Sequence, residues 1–192
     1  MRWALAWMAA TFLAVGIARP TDTSADIALS GPSFPVGNLK FTIPSKWKIE
    51  PVEGPARGGQ WRIPPLRPDG EGGRVVAFYF GPGVGGSPQD NIEAWVGTMS
   101  NVDGRPAAKK VKQHQANGLK VTQVVLFGTY NQVVSLPGVP PAVKLNYGLL
   151  GAVIENTQGN IYWRFTGPEP LVTANLPLFN KVIDSVKPQD QP

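Results

Sequence analysis

The stretch "FYFGPGVGGSPQDNIEAW", residues 78–95, joins an apolar strand to a helix through a glycine-rich loop. Upstream, residues 74–81 are apolar on both faces, which indicates a central strand covered on both sides. Downstream, Ser87 is placed as the helix N-cap and Pro88 as the first helical residue. One apolar stripe follows at Ile92, Trp95, Val96 and Met99. This order predicts a layered α+β fold.

The glycines of this loop raise the question of a dinucleotide site. Gly81, Gly83 and Gly86 have the G-x-G-x-x-G spacing. That fingerprint needs its third glycine inside the first helical turn, whereas a helix capped by Ser87 begins after Gly86. It also needs an acidic residue at the end of the next strand, and Asp103 lies in turn sequence. We therefore favour a structural turn and predict no cofactor.

A weaker form of ligand binding stays open at the same loop. Exposed backbone amides at a helix N-terminus can hold a carboxylate or a phosphate. Gly85, Gly86 and Ser87 are therefore candidate anion-binding residues. Asp90 already places a negative charge in the first turn, which favours the structural interpretation.

The other apolar segments predict a largely antiparallel sheet of six or seven strands with helices packed on its faces. Two helices are too few to connect an all-parallel sheet. A hairpin is predicted around the turn at 156–159, and a second amphipathic helix at 170–187. Pro177 is expected to kink or split that helix. Strand patterns occur at 39–44, 58–64, 74–81, 119–130, 146–155 and 160–167.

The N-terminus has the pattern of a secretory signal peptide. Arg2 precedes an apolar run from Trp3 to Ala18, which is short of the roughly 20 residues of a spanning helix. We predict a signal peptide at 1–25, cleaved after Ala18 or Ala25, and no stable membrane span afterwards. The chain is then expected to be exported, to the periplasm or outside the cell. A flexible lead-in at 26–37, a single α+β domain at 38–187 and a tail at 188–192 follow.

Positive charge is concentrated in one polar segment. The formal net charge of the chain is +5, far below a nucleic-acid-binding signature, so no nucleic acid is expected. Arg105, Lys109, Lys110 and Lys112 could form a docking patch for an acidic partner or a merely solvated basic loop. Both interpretations stay open.

Several catalytic and metal chemistries are disfavoured by composition. The chain has no cysteine, which excludes disulfides and thiolate chemistry, and His114 is its single histidine. His114 lies among cations and is expected at the solvated surface. The acidic pairs Glu50 with Glu53 and Asp69 with Glu71 could serve a hydrolase only if folding set them across a cleft. We predict no metal site and no catalytic residue.

A series of motifs resembles a group of uncharacterised exported bacterial proteins and, more broadly, the PsbP/Mog1/DcrB-like superfamily. The motifs are FTIPSKW, QWRIP, AFYFGPGVGGSPQDNIEAW, GTY, YGLLGAVIE, IYWRFTGP and FNKVIDSVK. The superfamily's closing hydrophobic-x-Ser-hydrophobic pattern is matched by Ile183, Ser185 and Val186. The resemblance covers residues 38–187 and implies an α/β/α sandwich with an accessory or binding role. It supplies no catalytic set to carry over.

The leading functional expectation is an exported, non-enzymatic binding or accessory module. Its partner would be an envelope protein, an acidic polymer or a small ligand. Two alternatives remain, a secreted hydrolase that uses carboxylates and an envelope structural factor. A pocket with two facing acids would favour the enzyme, and a basic or apolar groove would favour binding.

Overall fold

The computed structural model describes residues 29–52, 54, 56–132 and 142–189. The described residues include two helices, α1 (Pro88–Val96) and α2 (Glu169–Asp184). The strands are β1 (Ser33–Val36), β2 (Leu39–Thr42), β3 (Lys48–Ile49), β4 (Arg57–Ile63), β5 (Gly73–Tyr79), β6 (Met99–Ser100), β7 (Lys109–Ala116), β8 (Leu119–Gln132), β9 (Ala142–Ile154), β10 (Ile161–Pro168) and β11 (Lys187–Pro188).

Eight of these strands form one sheet in which every pair is antiparallel. The order is β3-β4-β5-β10-β9-β8-β6, with β7 also paired to β8. A second sheet has the order β1-β2-β11. The predicted α+β class with a largely antiparallel sheet is therefore confirmed, and the predicted hairpin is β9–β10. The large sheet has eight strands, whereas six or seven were predicted. The longest strand that the sequence pattern did not predict is β7.

Strand β7 was missed because its side chains do not alternate between apolar and polar. Seven of its eight residues are exposed or half-buried, and it is held mainly by backbone pairing with β8. The turn between β7 and β8 consists of Asn117 and Gly118, both with positive φ, as a two-residue hairpin turn requires.

One face of the large sheet carries the larger apolar cluster. Helix α2 lies over β9 and β10, and the small sheet packs beside it. The centre of this layer is aromatic: Trp163 stacks on Trp61 with ring centroids 5.3 Å apart, and Phe41 meets Trp163 edge-on at 4.9 Å. Pro177 lies inside α2 without splitting it.

The opposite face is covered only in part, because α1 has nine residues and contacts β6, β8 and β9. Trp95 of α1 sits over Gly151 of β9, where a Cβ would lie 2.3 Å from its ring. Ile92 and Trp95 are the buried residues of α1 and join a second apolar cluster. The helices thus flank the sheet on both faces, as in the predicted sandwich, but the β3–β4–β5 side of the α1 face lies beyond α1.

The first residues that the structure describes fall within the predicted lead-in. The predicted signal peptide falls outside the described residues. Strand β1 lies within the segment 26–37, which was predicted to be a flexible lead-in. Phe34 of this strand packs edge-on against Trp61, with ring centroids 5.0 Å apart, and so connects the segment to the core. In the described part of the chain, neither helix has the length and apolar character needed to cross a bilayer.

Candidate anion-binding groove

The face of the sheet that α1 leaves open contains a polar groove of about 490 Å³. Its floor is formed by β4, β5, β10, β9 and the end of β8. The charged side chains that line it are Glu50, Arg57, Arg62, Glu71, Arg74, Lys144 and Arg164. Five of them are cations and two are carboxylates, so the groove carries a net charge of +3 at neutral pH.

Three of the arginines come together through strand register. Arg62 of β4 lies directly opposite Arg74 of β5, and Arg164 of β10 pairs with Val76, two residues along β5. Side chains two residues apart on a strand share a face, so all three guanidinium groups project from the α1 side. Each alternates with core residues on the other face, such as Trp61 and Trp163.

Glu50 is placed between the two opposed arginines. Its carboxylate lies 3.8 Å from Arg62 Nε and 3.6 Å from Arg74 Nε, and it accepts a hydrogen bond of 3.0 Å from Gln60 Nε2. Like charges directly opposite on neighbouring strands destabilise a sheet. Glu50 offsets that repulsion, and its contacts to both arginines are long.

An aromatic pair supports the arginine nearest to α1. The Arg164 guanidinium lies 5.6 Å from the ring centre of Phe78, a cation–π arrangement. Phe78 stacks in turn on Phe80, with centroids 6.3 Å apart, and Phe80 is 42% exposed. Within the described residues Arg164 has no carboxylate partner, so its positive charge is not neutralised by an ion pair there.

The opposite wall of the groove is a hydrogen-bonded triad. The Tyr147 hydroxyl donates to Glu71 Oε1 at 2.6 Å, and Lys144 Nζ donates to the same oxygen at 3.0 Å. The hydrogen bond from Tyr147 holds the pKa of Glu71 below its ordinary value, and Lys144 acts in the same direction. Burial, together with the Glu71 carboxylate, raises the pKa of Tyr147 above its usual range. Glu71 is therefore a stable carboxylate and Tyr147 a stable neutral donor.

The candidate anion-binding residues of the glycine-rich loop form hydrogen bonds within the protein. Ser87 is the N-cap, and its backbone N–H and hydroxyl both contact the Asp90 carboxylate, at 3.2 and 2.7 Å. These bonds to Ser87 lower the pKa of Asp90. The carbonyl groups of Gly85 and Gly86 accept from Asn91 Nδ2 and the Tyr162 hydroxyl, at 2.7 and 2.8 Å. Anion binding here stays a prediction, with one carboxylate already at the helix end.

The four candidate basic residues do not form one patch. Arg105 forms an ion pair with Asp103 in the turn after β6, and Lys109 of β7 forms one with Glu93 of α1. Lys110 and Lys112 are exposed on β7, and Lys110 pairs in register with Val125. The segment is therefore a strand with cations on both faces, whereas a loop was expected. Its binding of an acidic partner stays a prediction.

His114 lies in a different environment from the one expected. It was predicted to be solvated among cations, but its side chain is 20% exposed and its Nε2 lies 2.7 Å from Asp184 Oδ1, at the end of α2. That prediction was wrong because the pairing of β7 with β8 carries His114 under the helix. No group of three or more histidine or acidic residues that could hold a metal ion occurs in the described ranges.

Sequence reasoning missed the arginine groove itself. The pattern was visible, because Arg62, Arg74 and Arg164 each stand next to a strong strand signal. Only the pairing of β4, β5 and β10 shows that they meet, and residues 62 and 164 are far apart in the chain. Each predicted acidic pair contributes one residue to the groove: Glu50 from the pair Glu50 and Glu53, and Glu71 from the pair Asp69 and Glu71.

The chain is similar to several proteins of known structure but matches no known protein family by sequence. No family model and no curated protein sequence matches the chain. Similar solved structures include a cyanobacterial PsbP (CyanoP) from Synechocystis sp. PCC 6803, with 16% identity and a TM-score of 0.49 over 82% of this chain and 90% of that one. Another is a protein of unknown function from Pseudomonas aeruginosa, with 11% identity and a TM-score of 0.45 over 83% of this chain and 98% of that one. No functional residue is carried over from either structure.

Proposed function

We propose that this protein is a non-enzymatic binding module that takes a small ligand with carboxylate or phosphate groups into the arginine groove. The observation that carries the proposal is the convergence of Arg62, Arg74 and Arg164 on one open sheet face. Guanidinium groups bind carboxylates and phosphates through paired N–H donors. The groove volume of about 490 Å³ lies within the range of ordinary small-ligand pockets.

The alternative of a carboxylate-dependent hydrolase is less well supported by the same groove. Its two described acids are Glu50 and Glu71, and glycoside hydrolysis requires one carboxyl group that stays protonated as a general acid. The pKa of Glu71 is instead lowered, and Glu50 lies between two arginines. Both carboxylates thus serve as partners for cations, which favours binding over hydrolysis.

The place of action that fits this proposal is outside the cytoplasm. The signal-peptide pattern of residues 1–25 supports export to the periplasm or beyond. The absence of cysteine means that an oxidising compartment would not add disulfides to the chain. A soluble anionic metabolite or the anionic group of an envelope component could both supply the same chemistry.

Calorimetric titration of the purified protein at low ionic strength tests the proposal. Inorganic phosphate and citrate are the probes. The double variant Arg62→Gln/Arg74→Gln removes two charge-assisted hydrogen-bond donors, each worth about 1.5 kcal/mol, so affinity should fall at least tenfold. Since this variant also leaves Glu50 without its partners, Arg164→Gln provides an independent variant and should weaken binding about five- to tenfold.

Arg67 supplies a matched control. It is exposed, lies in the connection between β4 and β5, and does not line the groove. Arg67→Gln changes the net charge by the same amount as Arg164→Gln and should leave both affinities within a factor of about two. Equal losses in Arg67→Gln and Arg164→Gln would mean that only the overall charge matters, and the groove would then not be the site.

A further inference from the structure

A second cavity lies on the covered face of the sheet, between α2 and the β7–β8 hairpin. Its volume is about 210 Å³. Val125 and Leu150 form its floor, and Leu176 and Phe179 of α2 form its inner wall. The side chains of Val125 and Leu176 are only partly buried, so apolar surface is accessible at the opening.

Two lysines form the outer rim of this cavity. Lys110 pairs in register with Val125, and Lys112 with Gln123. Gln123 donates to Asn180 of α2 at 3.1 Å, so its side chain lies on the α2 face of the sheet. Lys112, directly opposite Gln123, and Lys110, two residues away on β7, lie on the same face. Residues two apart on a strand are about 6.6 Å apart, so both ammonium groups reach the same opening.

These two lysines differ from their neighbours in having no counter-charge. Lys109, on the opposite face of β7, pairs with Glu93, and Lys120 on β8 pairs with Glu155 at 2.9 Å. Across the described ranges neither Lys110 nor Lys112 has an acidic partner. An apolar cavity with two unpaired ammonium groups at its opening is complementary to a molecule with one anionic end and one apolar end.

Polar contacts limit the length of the cavity. The Gln123–Asn180 hydrogen bond crosses from β8 to α2 at one side. Further along, His114 Nε2 and Asp184 Oδ1 join the hairpin to the end of α2 at 2.7 Å. These two contacts join the hairpin to α2 on this side of the apolar space.

We infer that this cavity binds a monocarboxylate with a short alkyl chain, the carboxylate meeting Lys110 and Lys112 and the chain lying on Val125, Leu176 and Phe179. Since a cavity of about 150 Å³ holds benzene, 210 Å³ corresponds to a chain of about eight carbons. The ligand class is a medium-chain fatty acid. This site is separate from the arginine groove and does not depend on the function proposed for it.

Octanoate is the probe, titrated into the purified protein by calorimetry at several temperatures. Binding should saturate at one site with a negative heat-capacity change, because apolar surface is buried. Lys110→Gln/Lys112→Gln should weaken octanoate binding about fivefold, since each partly exposed ion pair contributes modestly. Lys109→Gln lies on the same strand but on the opposite face, and should bind octanoate like the unmodified protein.

Other outcomes would overturn the inference. Butyrate binding as tightly as octanoate would show that the apolar pocket makes no contribution. Loss of octanoate binding in Arg164→Gln but not in Lys110→Gln/Lys112→Gln would place the carboxylate in the arginine groove. Binding to phosphatidylglycerol vesicles without any binding of monomeric octanoate would indicate a basic surface that contacts lipid headgroups. Equal octanoate affinity in the double lysine variant and in Lys109→Gln would likewise contradict it.

Discussion

Glu50 lies between Arg62 and Arg74, within the proposed anion site. It is held there by Gln60 and by two long contacts to guanidinium Nε atoms. Two arginines directly opposite on adjacent strands need a negative charge nearby, and in the unliganded protein this residue supplies it. Glu50 therefore offsets the repulsion within the sheet and would compete with an anion bound as proposed.

The substitution Glu50→Gln separates these two roles. Removal of the carboxylate should raise the affinity for inorganic phosphate about two- to fivefold, because the arginines lose their internal counter-charge. It should lower the free energy of unfolding by about 1 kcal/mol or less, since the contacts are partly exposed. Calorimetry and urea unfolding measure the two effects. Glu93→Gln, which removes the Lys109 partner away from the groove, is the matched control; an equal gain in phosphate affinity there would show a general charge effect.

The Tyr147–Glu71 hydrogen bond makes a pH-dependent contribution to stability. The folded-state pKa of Glu71 lies below its ordinary value of 4.5. Its contribution is therefore fully present above about pH 4.5 and is lost as the pH falls through the lower, folded-state pKa. Tyr147→Phe should destabilise the protein at pH 7, by about 1 kcal/mol, and by clearly less at pH 3.

Tyr79→Phe is the control for this pH dependence. The Tyr79 hydroxyl donates to the backbone carbonyl of Gln158 at 2.8 Å, a group that does not titrate. Its loss should cost the same at pH 7 and at pH 3 in urea unfolding. If the Tyr147→Phe difference were equally independent of pH, the carboxylate would not be the partner that matters.

At the scale of elements, the packing of α1 determines how much of the sheet face stays open. The helix begins at a capping box between Ser87 and Asp90 and rests on β9 through Trp95. Its short length leaves the β4–β5–β10 surface uncovered, and the arginines stand on that surface. The position of α1 therefore defines the groove's edge.

The substitution Gly151→Ala tests this packing. A Cβ at Gly151 would lie 2.3 Å from two ring atoms of Trp95, so the helix has to shift, at a cost of about 1–3 kcal/mol. Thermal unfolding should show a lowered Tm, and tryptophan fluorescence should change as Trp95 moves. Gly97→Ala, at the end of the same helix, has only ordinary contacts of 3.5 Å and a φ of −61°, so it should be neutral or slightly stabilising. An unchanged Tm for Gly151→Ala would contradict the packing of Trp95 on Gly151.

At the scale of the whole molecule, local patterns predicted the elements and could not predict the site. The cap at Ser87 and the apolar residues Ile92 and Trp95 were sufficient to place the start of α1, because these signals are local, but the predicted stripe continued to Met99, which lies in β6. The convergence of the arginines depends on register between β4, β5 and β10, which a single sequence does not encode in any short pattern. The exposed strand β7 was missed for a related reason, since backbone pairing rather than apolar alternation holds it.

The fold as a whole gives the two sheet faces different roles. One face is closed by α2 and the small sheet around Trp61 and Trp163, which supplies the main core. The other is closed by α1 over only part of its area and presents cations on the rest. The larger apolar cluster thus lies on one side, and the open part of the other side can carry charges that a buried face could not.

A phosphate titration followed by NMR of the arginine Nε–Hε groups would locate a bound anion directly. We expect saturable shifts for Arg62, Arg74 and Arg164, with one common dissociation constant and little change at Arg67. Shifts confined to Ser87 and its neighbouring loop, or to Arg105, would instead locate anion binding at the residues first suggested by the sequence. That result, or shifts that never saturate at any arginine, would contradict the arginine groove as the ligand site.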